Sequence, residues 1–590
     1  MSTSINVNKQ SVKELLSSGA AHKFVIPEYQ RPYAWSEEEV ETLFNDLWEF
    51  TKKNVEPTYF LGSVVSYLND KGEQEIIDGQ QRITSLFLLL RAIYTKLQEP
   101  QEKTKEAKNF ISQIEETIWE KNQYTGEIDD FGKILIESKV IRNTGNEILR
   151  NILKTGTADP KAKDPYSVNY RKFQELYSKA CVDDPLLVYN FILNLLNKAI
   201  LLPITADNQN TALTIFSTLN NRGLALSDAD IFKATIYNHL AAEQQKEFIE
   251  RWQTLEEDAK DTDQDIQSLF YYYMFYLRGV EKDDSTTTPG IRKYFISKHP
   301  QALYDADLLP KLTDIMNVWK VCTNREKLQD EPWCEDMEIL RALDILSSYP
   351  NEFWKYPVIT YYLSHKSEPD FMANFRLFLN RLTAELLTRY LVDSSINFVK
   401  SDIMKLNVAI VGNMHPSFSF KELGNVEILE EIKKPNSKSV RMLLKMLAYL
   451  HKDQKDLLPQ KWEIEHIFPQ KWHSNYFPTN ITDDQIKEKI ELLGNKVPFE
   501  KKLNIQAGNG YFVKKKDEYT QSKIAITKAL CEYSDWDLDT ITERGAEIAK
   551  EIKRALDKWV SVYEQPGAPQ TPTPEEMEIL KKYAGLKLPD

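Results

Sequence analysis

Cysteine is scarce, with four residues (Cys181, Cys322, Cys334 and Cys531) in a chain of 590. None of them forms a CxxC pair or a zinc-ribbon spacing. They read as reduced, mostly buried thiols, which excludes a disulfide scaffold and a structural zinc site. Long apolar runs are also missing: LFLLLRAIY and FILNLLNKAILLPI are short or broken by polar residues, below the ~18 needed to span a bilayer. The opening MSTSINVNKQSVKELL lacks the basic-then-apolar profile of a signal peptide, so a cytoplasmic protein without membrane contact is expected. Only 19 glycines and 26 prolines are present, which excludes collagen-like and Gly-rich repeats. No GxxxxGK[ST] occurs, so a P-loop NTPase is out. Positive charge is in deficit as well, with 75 Lys plus Arg against 88 Asp plus Glu and a net charge of −13. That argues against coating nucleic acid through bulk charge, while leaving a local basic site open.

What is present is core-forming material, 42% hydrophobic and 28% charged residues, in a length that allows two to four domains at about 150 residues each. Pro27 and Pro32 prevent a helix through IPEYQRPYAW (26–35). Ser36 with Glu39 three residues on forms a capping box, and Val40, Leu43, Phe44 and Leu47 supply the apolar stripe of the helix it opens. YFLGSVVSY (59–67) and EQEII (73–77) flank Asn69-Asp70-Lys71-Gly72, a hairpin signal. Asp78-Gly79 then turns the chain into a helix with Ile83, Phe87 and Leu90 on one face. From about 95 to 440 the pattern is nearly all helical. The aromatic run FYYYMFYLRG (270–279) is expected as a buried helix rather than a base-stacking platform, which needs exposed rings beside basic residues. EQPGAPQTPTP (564–574) reads as an extended linker before one short helix ended by Gly585.

Two constellations carry chemistry. In EIIDGQQRITSLFLLL, Asp78, Gly79, Gln80, Gln81 and Arg82 fall at a strand-to-helix junction. Free N–H groups and the helix dipole favour an anion there, Arg82 adds a bidentate fork, and Asp78 could hold a phosphate-bound Mg²⁺. The plainer alternative is that Asp is a good N-cap and Gly a good turn residue. Arg31, among Tyr29, Tyr33 and Trp35, could pair with phosphate or pack at the surface. Asn220, Asn221, Arg222 and Gly223 form a polar loop, after which Ser227 and Asp230 cap the next helix.

The second constellation begins with histidine usage. Only eight occur, and His451, His466 and His473 fall close together. WEIEHIFPQ ends a strand-like lead in Glu465-His466; Asn495 follows in ELLGNKVPF and Asn504 in EKKLNIQAGNG. With Pro498 placed in the first turn and Gly508 at the exit, Asn504 is expected on a short helix. This order matches a one-metal ββα nuclease of the HNH kind. Glu465 and the Asn504 carbonyl suit a hard cation, Mg²⁺ or Mn²⁺. His466 titrates where a general base should, and Asn495 would brace the loop and hold the imidazole. One His beside one Glu is nonetheless commonplace, and asparagines form loops. Residues 501–530 carry seven lysines against Asp517 and Glu518, a local +5. Lys501, Lys502, Lys514 and Lys515 are thus candidates for DNA-phosphate contacts, a solvated helix face being the alternative for 514–516. His473 is read as a surface histidine.

IPEYQRPYAW, YFLGSVV, IIDGQQR and FSTLNNRGLALSDADIFK, in that order over about residues 10–240, resemble the ParB-like nucleotide-binding half of the GmrSD-type modification-dependent restriction endonucleases. EHIFPQ, LGN, KKLN and YFVKKKDEYTQS resemble the HNH-type nuclease half of the same family over about 440–530. The resemblance implies an α+β, predominantly α protein. A small ParB-like α/β core and NTPase domain would occupy 1–240, a helical region 241–440, a ββα-metal nuclease 441–562, and a linker with a short helix 563–590. It implies a nucleoside triphosphate at Asp78, Gln80, Gln81 and Arg82, less firmly at Arg31, Asn220 and Arg222, and allows Asn504 in place of the third histidine of many HNH enzymes. The expected function is NTP-regulated, metal-dependent cleavage or nicking of modified phage DNA, with a homo-oligomer left open. The alternatives are a nucleotide-sensing DNA-binding regulator with an inactive nuclease half, and an abortive-infection nuclease acting on RNA or unmodified DNA.

Overall fold

The computed structural model describes residues 6–53, 57–140, 144–209, 211–213, 215, 227–395, 397–423, 427–472 and 482–565. The fold is α+β and mostly α, 62% helix and 8% strand. The chain divides into two compact units, Met1–Thr254 and Leu255–Asp590. Asn220, Asn221, Arg222, Gly223, His473 and residues 566–590, with most of the expected linker and its helix, lie outside the described residues, while Glu564 still belongs to a helix.

The first unit is built on a seven-stranded mixed sheet. Its strands are β1 (Asn6–Val7), β2 (Gln10–Ser11), β3 (Phe24–Ile26), β4 (Tyr59–Leu68), β5 (Gln74–Asp78), β6 (Ile136–Ser138) and β7 (Ala199–Ala206). The order is β1-β7-β4-β5-β3-β6, with β2 also on β7. The expected hairpin is β4–β5: Asn69 Oδ1 accepts the N–H groups of Lys71 and Glu73, and Gly72 takes a φ of 74°. At the start of α1 (Glu37–Lys53) the N–H and hydroxyl of Ser36 both donate to Glu39, which is the carboxylate half of the expected capping box. Gly79, at φ 88°, precedes α2 (Gln80–Gln98). That helix is not one-sided: nearly every residue from Ile83 to Tyr94 is buried, so it runs through the core instead of lying on it. Ser227 and Asp230 form the expected capping box at the start of α3 (Asp228–His239).

Strands β6 and β7 interrupt the stretch that the sequence assigns to helices. AILLPITA is a short, continuously apolar run, and such a run carries no period that separates a buried strand from a helix. It pairs in parallel with β4 and antiparallel with β1 and β2. Pro203 falls at the level of residues 8–9, where those two short strands are interrupted.

In the second unit the aromatic run forms α4 (Ile266–Val280), whose Phe270, Tyr272, Tyr273 and Phe275 are buried, as expected of a core helix. Its C-terminal part contains a two-stranded antiparallel sheet, β8 (Trp462–His466) and β9 (Lys496–Glu500), followed by α5 (Lys501–Ala507), α6 (Phe512–Thr520) and the long α7 (Leu538–Glu564). Pro498 lies within β9, opposite Ile464, and not in the first turn of a helix. The reason is register. Ile467 N donates to Asn495 O and Lys501 N to Lys461 O, so bonded positions fall on alternate residues and skip Pro498. Its missing N–H therefore costs the ladder nothing. No helix among the described residues is long and apolar enough to cross a membrane.

Candidate functional site

The ββα unit gathers the second constellation. Strand β8 ends in Glu465 and His466, which pair across to Val497 and Lys496 of β9. Helix α5 packs on both strands and carries Asn504. Glu465 and His466 are consecutive at the strand end, and their environments differ.

His466 keeps 18% of its side-chain surface exposed. Its Nε2 lies 3.6 Å from Glu491 Oε1 and 3.4 Å from Gln470 Nε2. Burial first, and then the Lys496 ammonium, hold the imidazole below its ordinary pKa, against the pull of Glu491. The ring is therefore neutral at neutral pH, with Nε2 the acceptor if Gln470 donates to it. Glu491 is itself tied to Lys496 Nζ at 2.7 Å.

Glu465 is buried, 5% exposed. Its Oε1 accepts from Lys515 Nζ at 2.6 Å and from the Tyr519 hydroxyl at 2.8 Å. No described residue donates to Oε2. Asn504 is half-buried, and its side chain makes no hydrogen bond with the described residues. Both oxygens are thus spare, a carboxylate and an amide carbonyl, and this donor set suits a hard divalent ion. Among the described residues no group of three or more His, Cys, Asp or Glu could hold a metal.

Asn495 is completely buried. Its Oδ1 accepts from Phe468 N at 2.7 Å and Trp536 Nε1 at 3.2 Å, and its Nδ2 donates to the carbonyls of Phe468 and Ile490, both at 3.0 Å. It clamps the chain two residues beyond His466. Beside it Gly494 meets α7 at backbone distance: a Cβ there would come within 2.1 Å of Ile541 O. Arg544 of α7 donates to Gly494 O at 2.6 Å and Lys496 O at 3.2 Å, and burial pulls its pKa down to about 10.

Of the four lysines assigned to phosphate, Lys501, Lys502 and Lys514 are exposed. Lys515 is not available: its side chain is 1% exposed and its ammonium is spent on Glu465 and on the carbonyl of His466 at 2.7 Å. A surface lysine was expected because its neighbours are charged. The signal to the contrary is spacing, since Phe512, Lys515 and Tyr519 recur at i, i+3 and i+7 and share the buried face of α6. Tyr519, Glu491, Trp536, Gly494 and Arg544 were not singled out in the sequence, because each acts through a partner remote in the chain.

The first constellation folds as a junction that is largely self-satisfied. Gln80 Nε2 donates to Gln30 Oε1 at 3.0 Å, and Gln30 Nε2 to Ile77 O at 3.1 Å. Gln81 accepts from Ala34 N at 2.8 Å and donates to Pro32 O at 3.1 Å. The two amides staple the Pro-constrained 27–35 segment to α2. Gly79 is required by its left-handed φ and by Val64, whose Cγ2 a Cβ would approach to 3.0 Å. Asp78 is pushed up by burial, against the Gly79 N–H, Arg82 and then Arg31. Arg82 donates to Ser63 O at 3.0 Å and nests on Gly62, whose φ is 112°. It also lines a cleft of about 550 Å³ with Trp35, Tyr59, Glu38, Glu39 and Asp46. Arg31 is exposed.

One unit carries an arginine-lined cleft at a strand-to-helix junction, and the other a ββα unit with Glu465 and His466 at a strand end. Residues 12–237 match the GmrSD restriction endonuclease N-terminal domain, and residues 421–551 the C-terminal domain of GmrSD restriction endonucleases. The chain belongs to the GmrSD restriction endonuclease family. No curated protein matches it.

Proposed function

We propose that this restriction endonuclease is an HNH-type, metal-dependent enzyme that cuts or nicks modified phage DNA, and that a nucleoside triphosphate at the first unit controls it. The observation that carries the nuclease reading is the juxtaposition on one ββα unit of a neutral, accessible His466 with two unpartnered ligand oxygens, on Glu465 and Asn504. Glu465 and Asn504 would hold Mg²⁺ or Mn²⁺, and the ion, when bound, would supply charge neutralisation at the scissile phosphate. His466 takes the proton of the attacking water at Nε2, a role its lowered pKa suits at neutral pH. Asn495 fixes the strand exit so that this proton transfer has one geometry. Lys501, Lys502 and Lys514 hold the phosphate backbone, which accounts for DNA binding by a chain of net charge −13.

The nucleotide reading is supported by Arg82 and the cleft it lines, a volume within the range of small-ligand sites. Three carboxylates line the same cleft, so a triphosphate would enter with its cations and not bare. Gln80 and Gln81 serve there by holding the 27–35 segment in place. The four-part division into a nucleotide domain, a helical region, a nuclease and a tail belongs to the same proposal.

The test is a panel of glucosylated, hydroxymethylated, phosphorothioated and plain DNAs, each with Mg²⁺ or Mn²⁺ and with or without each NTP. Cleavage confined to a modified DNA and changed by an NTP is expected. Intact DNA throughout would overturn the reading, and cleavage of plain DNA without NTP would favour the abortive-infection alternative.

A further inference from the structure

Lys515 and Tyr519 lie beneath the strand that carries Glu465 and His466, and the chemistry above uses neither. A lysine with 1% of its side chain exposed persists only where its charge is met, because an unpaired buried ammonium is strongly disfavoured. Here the ammonium is met three times: by Glu465 Oε1 at 2.6 Å, His466 O at 2.7 Å and Ile467 O at 3.4 Å. Tyr519 adds its hydroxyl to the same carboxylate oxygen at 2.8 Å.

The two contacts are not shared between the carboxylate oxygens. Both fall on Oε1, and Oε2 receives none. We infer that Lys515 and Tyr519 are positioning residues that grip Glu465 by Oε1, so that Oε2 alone is offered to the divalent ion. This rests on the metal-dependent reading above and adds how the ligand is held. An ammonium on Oε1 repels a second cation from that oxygen, which makes the carboxylate a one-oxygen ligand. The same ammonium ties the carbonyls of His466 and Ile467, so the metal ligand and the backbone of the general base are set by one side chain. Partners of this kind, outside the ligands themselves, commonly control metal affinity about 10- to 100-fold.

The test uses the full chain and titrates Mn²⁺ calorimetrically without DNA, alongside the Mn²⁺ concentration that gives half-maximal cleavage. Tyr519→Phe is the principal variant, because it removes one hydroxyl and leaves the ion pair and the volume intact. It is expected to fold as wild type and to bind Mn²⁺ about 10-fold more weakly, with the half-maximal concentration raised in step and the rate at saturating Mn²⁺ largely kept. Lys515→Arg should retain more affinity than Lys515→Met. Wild-type affinity in a folded Tyr519→Phe would overturn the proposal. If Glu465→Gln also binds Mn²⁺ as wild type does, the metal reading falls with it; if Glu465→Gln abolishes binding and Tyr519→Phe does not weaken it, the reading stands and only the grip is refuted.

Discussion

Replacing Asn495 by alanine removes one amide and breaks four hydrogen bonds, those to Phe468 N–H, Phe468 C=O, Ile490 C=O and the Trp536 indole N–H. The side chain is 0% exposed, so bulk water does not replace it. A buried donor or acceptor left unmade costs about 1–3 kcal/mol. The space vacated is on the order of one water molecule, and a trapped water makes about three hydrogen bonds, which limits the total. We expect a loss of about 2–5 kcal/mol, read as a lower urea midpoint at constant slope. Trp536 donates to the deleted amide, so its fluorescence should report the change locally. Cleavage should also fall, by at least about tenfold at a temperature where the variant is fully folded, because an orientation error near 1 Å costs on the order of 10²-fold. A loss under about 1 kcal/mol together with wild-type cleavage would refute the clamp.

At Gly494 the reason is space rather than backbone angle. Gly494→Ala puts a Cβ 2.1 Å from Ile541 O and 2.8 Å from Gly545 N, both backbone, and should cost about 3 kcal/mol by forcing α7 away. Gly545→Ala meets Gly494 only at 3.6 Å, and by helix propensity should gain up to about 1 kcal/mol; paired urea curves check both signs. Asp537 caps α7, accepting from the N–H and hydroxyl of Thr540, and these bonds hold its carboxyl below the usual range. The stability it adds is therefore present above the unfolded-state pKa and fades as pH falls through the lower folded one. Asp537→Ala should cost about 1 kcal/mol at pH 7, and thermal melts should show the gap from wild type closing in acid.

The parts of this molecule that were legible in the sequence are those where a residue type answers a local need. The Ser36 and Ser227 caps, the Asn69–Gly72 turn, the left-handed Gly79 and the strand ending in Glu465-His466 are set by near neighbours. Strand β7 was hidden because its run is apolar on both faces, and Pro498 was assigned to a helix because its strand register depends on Asn495 and Lys461. The site divides along the same line. Glu465, His466, Asn495 and Asn504 stand in a recognisable order, whereas the burial of Lys515 depends on a carboxylate fifty residues away. Gln80 and Gln81 read as ligand contacts from their motif, yet they bind the segment that carries Arg31.

His466 is the proposed base of the nuclease. Wild type and His466→Ala, each checked for an unchanged urea midpoint, should be compared on the modified DNA that wild type cuts, with Mn²⁺ and NTP present. Loss of a general base typically costs 10²–10⁴-fold, and a fall in that range is expected, with DNA binding retained. Equal cleavage by the folded variant would contradict this role.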